Sequence, residues 1–500
     1  MNFHKATFKI FLPGVLFLVV SCDGFLDVNE DPTAPSEVPE NLQLSALLGA
    51  FSYEVIGNEP ARTPNLWVQQ LAWAGFQENH ADSYYFNESD PNNLWNQTYT
   101  EVLNNANQLN ELAEENENYS YAGIAKVIQA WSFAILTDLF DEVPYTEAFN
   151  PLPEGTATPE YDSQEFIYNR IFELLQSALN DFESDDQTLS PGTDDLLYGG
   201  NIEQWQRLTN TLLARYHLRL SNAPGYDAEE QANNALGALE NGFASNEDDA
   251  DFQYYDNPGE ENPWFQFAID GKWDTRDQLS AHYIGLLEGL DDPRLSIQAR
   301  PVGAVDNNGL VSGFDPEPDS IVYEGNVNGA EGDGASNYSS IGAFYSSADA
   351  SLNWMSYAEA KFIEAEATLI TGGDAQNIYE EGIRASMEKL GVAEGDIDDY
   401  INDPLISLTL PSASGDALEE IITQKYIANF LSLENYNDWR RTGYPELEPV
   451  EDPYTPSGQI PVRYPYPTSE HANNADNVAE TGVPLGLSAL EISVWWDTSN

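Results

Sequence analysis

Cysteine is almost missing from this chain: 500 residues carry one thiol, Cys22. That excludes an intramolecular disulfide and a thiolate-bound metal cluster. Cations are scarce too, 19 Lys and Arg against 84 Asp and Glu, for a net charge of −65 and a pI near 4.1. With so few basic residues there is no face to displace counterions from phosphates, so nucleic acid is excluded as a partner. The same charge repels anionic headgroups unless something covalent holds the chain to a membrane. Five histidines, His4, His80, His217, His282 and His471, show no metal-ligand spacing to one another. HExxH, phosphate-loop and GxSxG motifs are absent, and with them the usual marks of zinc peptidases, nucleotide enzymes and serine hydrolases. Past the N-terminus no stretch approaches ~18 consecutive apolar residues, the length a spanning helix takes.

What is present is a core. Hydrophobic residues make up 41% and aromatics 12%, with 11 Trp, 27 Tyr and 22 Phe, which a disordered acidic chain would not carry. The length suits one large domain or two to three smaller ones. The acidic excess itself reads as a solvated surface.

The N-terminus reads as an export signal. Lys5 and Lys9 precede IFLPGVLFLVV, residues 10–20. Eleven residues are too short to span a bilayer but suit a signal-peptide core, and Pro13 and Gly14 weaken it further as a membrane helix. The run ends Val19-Val20-Ser21-Cys22, which resembles the bacterial lipobox. There, a nucleophilic sulfur takes diacylglycerol and the chain is cut just before it. Cys22 is therefore expected to be the lipid attachment point, with residues 1–21 a signal peptide. Residues 22–41, rich in Asp, Glu, Pro and Ser, read as the lipidated N-terminus and its tether.

Helical periodicity dominates the remainder of the chain. Ile124, Val127, Ile128, Trp131, Ile135 and Leu139 fall on one stripe, and Trp205, Leu208, Leu212 and Tyr216 on another. Asp162 with Glu165 predicts a capping box for a helix through Ile167, Ile171 and Leu175. Residues 351–390 predict two helices joined at Gly372-Gly373, an αα-hairpin of nearly tetratricopeptide length without a clean repeat along the chain. Residues 244–277 and 301–350 are Gly-, Asn-, Asp-, Ser- and Tyr-rich loops, and 444–500 reads as a proline-rich tail packed back on the body.

The chemistry sits in aromatic loops. LWVQQLAWAGFQENHADSYYF gathers Trp67, Trp73, Phe76, Tyr84, Tyr85 and Phe86 among Gln, Asn and Asp. A second cluster holds Tyr254, Tyr255, Trp264, Phe265 and Trp273 near Asp270, Lys272 and Arg276. Flat rings stack on sugar rings or peptide side chains while the polar groups bond their edges. Candidate ligand contacts are Trp73, Phe76, Tyr84, Tyr85, Tyr255, Trp264, Trp273 and Arg276. Core packing is the competing reading for Trp67 and Trp73, and it stands equally open for Tyr84, Tyr85 and Trp264. No catalytic residue and no cofactor are expected. NEDDAD (246–251) and DNNG (306–309) carry oxygen ligands that calcium accepts, but neither follows the twelve-residue hand pattern, and both read as solvated loops.

Several stretches together resemble the SusD/RagB family of surface nutrient-binding lipoproteins, in its second SusD-like branch. They are YAGIAKVIQAWSFAILTDLFDEVPYTEAF, LEGLDDPRL, WMSYAEAKFIEAEATLI, YEEGIRASMEKLGV, ITQKYIANFLSLENYNDWRRTGYP and YPYPTSEHANN, in that order. The resemblance implies a mainly α fold of tetratricopeptide-like hairpins, a SusD-like α-α superhelix with a large irregular, loop-rich half, as one domain over 42–500. It also implies a lipoprotein, not an enzyme, on the exterior of the outer membrane, binding a glycan or peptide oligomer for a SusC-like TonB-dependent transporter. Arg440 or Arg441 is then expected to satisfy helix carbonyls or buried acids. Two other classes compete: a helical-toroid glycoside hydrolase, and a tetratricopeptide-like scaffold that binds only protein.

Overall fold

In the helix Tyr119–Phe140, every residue but the first is buried. A helix that is apolar all round belongs in a core. Here the helices Asn104–Glu115 and Gln164–Phe182 pack along it. It is long and apolar enough to cross a membrane by composition, yet its apolar window lies wholly inside the body. The computed structural model describes residues 38–76, 80–149, 156–184, 187–271, 276–408 and 416–498. Cys22 and the expected signal and tether up to residue 37 lie outside the described residues. The first described helix is Glu40–Ala50, and Glu40–Asn500 forms one compact unit.

The fold is mainly helical, as expected from periodicity and resemblance. Ile202–Arg219 pairs with Ala228–Leu239, and Tyr357–Ile370 pairs with Gln376–Lys389. In the second hairpin Gly372 takes φ +76°, a conformation without penalty only for glycine, and the chain reverses there. Ser356 caps the first of these helices by accepting the Glu359 N–H. The expected Asp162 cap is shifted by one residue: Ser163 Oγ accepts the Phe166 N–H, and the helix runs Gln164–Phe182. Asp162 instead binds the N–H groups of Tyr145 and Thr146 at 3.0 and 2.7 Å, tying the loop after the long helix to this one. A short acid before a Ser leaves two candidate caps, and the better-placed loop donors take the carboxylate.

The irregular half carries four two-stranded antiparallel sheets among its described residues. The tail returns to the core, where Trp496 is fully buried and its Nε1–H donates to Asp138 Oδ1 at 2.8 Å.

At the junction of tail and hairpins lies a buried ionic network. Arg219 bridges Asp138 and Glu434. Arg215 holds Glu359 through two bonds of 2.8 Å. Arg441 pairs with Glu366 and Asp438, and Lys425 reaches Asp438 at 2.7 Å. Arg440 donates to the carbonyls of Asp138 (2.7 Å) and Val462 (2.9 Å). The expected structural role of Arg440 and Arg441 is therefore what the geometry shows. Burial alone would raise the Asp438 carboxyl, but Lys425 and Arg441 hold it down to about 2.

Candidate ligand-binding cleft

The strand Leu71–Trp73 pairs antiparallel with Asp277–Leu279, setting Trp73 opposite Asp277. This short ladder places one aromatic from the first cluster beside a carboxylate just past the second, although about 200 residues separate them. Asp82 fixes the strand end, its Oδ2 accepting the Trp73 N–H at 2.8 Å. Gly75 then lets the chain turn tightly, for a Cβ there would stand 2.6 Å from Trp73 Nε1 and 2.8 Å from Arg276 Cδ.

An aromatic shelf results. The His80 ring stacks on Trp73 with centroids 3.7 Å apart and planes 10° apart. The Arg276 guanidinium lies 5.9 Å from the Trp73 ring and 6.0 Å from Phe76, and Phe76 is 55% exposed. Tyr85 meets Tyr454 of the tail edge to face at 5.3 Å. Beside the shelf opens a cleft of about 310 Å³ lined by Glu59, Arg62, His80, Tyr85, Asp90 and Asp277, among others. Burial depresses the His80 imidazole to about 4, so the ring is neutral at physiological pH.

The polar groups of the cleft are unequally satisfied. Arg62 donates twice to Asp277 Oδ2, at 3.0 and 2.6 Å, and its guanidinium lies 4.8 Å from the Phe267 ring. Among the described residues Asp277 Oδ1 has no hydrogen-bond partner. Tyr464 donates to Glu59 Oε1 at 2.9 Å, and Glu59 Oε2 has no partner among the described residues. Trp73 Nε1–H, beside the cleft, is also unmatched among the described residues. Burial lifts Glu59 to about 7 and Asp82 to about 7, the hydrogen bond to Trp73 holding the latter down only in part. Unpartnered atoms of Glu59, His80 and Asp277 on the cleft lining, with Trp73 Nε1 beside it, are a cost that a hydroxylated ligand would reduce.

Of the residues singled out in the sequence, Trp73, Phe76, Tyr85 and Arg276 come together here. Tyr84 and Trp264 are each 1% exposed and present no surface face. Tyr84 Oη accepts the Val450 N–H at 3.1 Å, and the backbone N–H of Trp264 donates to Asn262 Oδ1 at 2.7 Å, both as parts of the core. Trp67 is also core, its Nε1–H donating to Ala81 O at 2.9 Å. Tyr255 is 57% exposed on a separate turn closed by its N–H to Glu260 O. Trp273 lies outside the described residues. The acidic loop is engaged within the protein: Lys389 reaches Asp249 at 2.6 Å and Asp251 at 2.9 Å, and Asp306 Oδ1 accepts the Asn308 N–H. Sequence reasoning missed Glu59, Arg62, Asp277 and the tail's Tyr454. One signal was available for Arg62: a scarce cation between Pro60 and Pro64 in a helix.

Fold and cleft together define a helical-hairpin protein with a candidate ligand shelf built on its irregular half. The chain belongs to the SusD-like family described as starch-binding and associating with the outer membrane, whose model matches residues 35–467. Its role is accordingly nutrient binding at the outer membrane, as a binding protein. Among solved structures it is similar to a chitin-binding protein, with 27% identity, TM-score 0.76, and coverage of 92% of this chain and 100% of that one. A SusD/RagB family protein from Bacteroides thetaiotaomicron shares 24% identity and the same TM-score of 0.76, over 93% and 100% of the two chains. A chitin-binding SusD homologue from Flavobacterium johnsoniae shares 24% identity at TM-score 0.74, over 92% and 98%. No curated protein matches the chain.

Proposed function

We propose that the protein binds a glycan oligomer at the Trp73–His80 shelf and delivers it to a SusC-like TonB-dependent transporter, anchored through a lipid on Cys22 and facing the cell exterior. The observation that carries the glycan reading is the pairing of flat rings with orphan acceptors. Phe76, 55% exposed, and Tyr85 offer faces to a sugar ring's C–H side, with Trp73 packed beneath His80, while the carboxylates of Asp277 and Glu59 in the cleft wall are the groups to accept from its hydroxyls. A peptide backbone supplies far fewer donors per length. Two of the similar structures are chitin-binding, so chitin oligosaccharides head the panel, before starch oligosaccharides and peptides.

Calorimetry of the purified protein against that panel tests the reading. Saturable binding of a glycan oligomer, with no peptide binding, supports it; binding of peptides alone overturns it. Release of shorter sugars on prolonged incubation would return the glycoside hydrolase reading. For the anchor, Cys22→Ala should leave the protein unlipidated and no longer pelleting with outer membranes. Unchanged membrane association in that variant removes the claim. Co-purification of a large barrel with the lipidated protein tests the partner.

A further inference from the structure

A second hollow lies inside the body, about 220 Å³ in volume, and shares no lining residue with the shelf cleft. One wall is aromatic, formed by Trp131, Trp264 and Trp354. Another is the whole link between the helices Ala417–Ala428 and Glu434–Thr442, residues 429–433. We propose that this cavity is a separate ligand site that takes one neutral sugar ring.

Four features argue for an occupant and for its chemistry. The volume exceeds many times the ~10–15 Å³ of probe space that one water needs, so the space is not a packing defect. Its charged residues are already neutralised: Arg215 with Glu359 at 2.8 Å, Lys389 with Asp251 at 2.9 Å, and Glu434 with Arg219 behind the wall. A charged ligand would meet no uncompensated partner, whereas hydroxyls can share the lone pairs and N–H groups of such pairs. Asn429 lines the cavity, is only 7% exposed, and its Nδ2–H₂ has no acceptor among the described residues. Leu431, a bulky residue in the same link, takes φ +69°, and a strained backbone of this kind is held where the surroundings require it. An indole-rich wall facing amide, guanidinium and carboxylate groups matches a ring with one C–H face and a hydroxylated edge. Phe344, 41% exposed, belongs to both the lining and the surface and marks the way in.

The probes are D-glucose, D-galactose and N-acetyl-D-glucosamine, offered singly to the full chain in saturation-transfer NMR and soaked into its crystals. The expected result is saturable binding of at least one, with Kd on the order of millimolar, and ring density between Trp131 and Asn429. Asn429→Leu should weaken that binding about tenfold, the size of one lost hydrogen bond. Ala358→Leu, which adds bulk to the cavity wall, should abolish it. Phe76→Ala should leave it intact while weakening oligomer binding, so failure here is distinguishable from failure of the shelf reading. Ordered water alone in the soaked wild-type cavity overturns the proposal, whatever the variants do. So does a monosaccharide signal that disappears with Phe76→Ala and survives Asn429→Leu.

Discussion

The ionic network and the shelf cleft both bury charge, and they treat it in opposite ways. In the network, Asp138, Glu359, Glu366, Glu434 and Asp438 face Arg215, Arg219, Arg440, Arg441 and Lys425, five charges of each sign in a chain of −65. The acids there are paired, and Asp438 is held down to about 2. In the cleft, Glu59 is half-buried beside one cation already committed to Asp277, and desolvation lifts it to about 7. The first region commits its scarce cations to holding helices and tail together. The second leaves acceptors open, which costs stability and suits a ligand.

The largest expected effect comes from breaking the network. Arg219→Met strips both Asp138 and Glu434 of their closest cation and should destabilise by about 3–5 kcal/mol in denaturant unfolding. A loss under about 1 kcal/mol would mean that the pairs contribute little beyond neutralising each other. Trp264→Ala comes next, at about 3–5 kcal/mol, because the indole is 1% exposed; oligomer binding at the shelf should survive in the folded fraction. Phe76→Ala inverts that pattern: unfolding unchanged, oligomer affinity down about tenfold by calorimetry, since the ring is already half in water.

Acid titration separates the two regions further. Glu59 holds its proton more tightly in the native state than its ordinary value of 4.5, so native stability falls as pH rises from about 4.5 through 7. Glu59→Gln should remove its share of that slope, leaving the part due to Asp82. It should also remove a rise in glycan affinity across pH 7, where the ionised carboxylate becomes the better acceptor. Asp438 works the other way: its contribution is present above 3.8 and lost as pH falls toward 2. Smallest of all, Arg170→Ala removes an exposed pair with Glu173 and should change unfolding by less than about 0.5 kcal/mol.

The helices are legible because their signal is local. The stripe from Ile124 to Leu139 and the hairpin around Gly372-Gly373 need only periodicity and a turn residue to be read. The cap expected at Asp162 stands at Ser163 because two neighbouring side chains can accept, and distant loop donors settle which one does. Half of the shelf is legible as aromatic density. Its acidic floor is not, since Glu59 and Asp277 are two among 84 carboxylates and nothing in their neighbours marks them.

By itself the sequence determined the acidic surface, the mainly helical body and, through ordered motifs, the family, all properties of composition and short-range pattern. Only the tertiary structure decided which aromatics meet solvent. Trp73 and Trp264 look alike as loop tryptophans and both end buried, at 9% and 1% exposure, but pairing with Asp277–Leu279 sets one at the cleft's edge beneath His80, and packing draws the other deep into the core. The reason is physical: an indole is apolar enough for either place, and the choice is made by contacts hundreds of residues away.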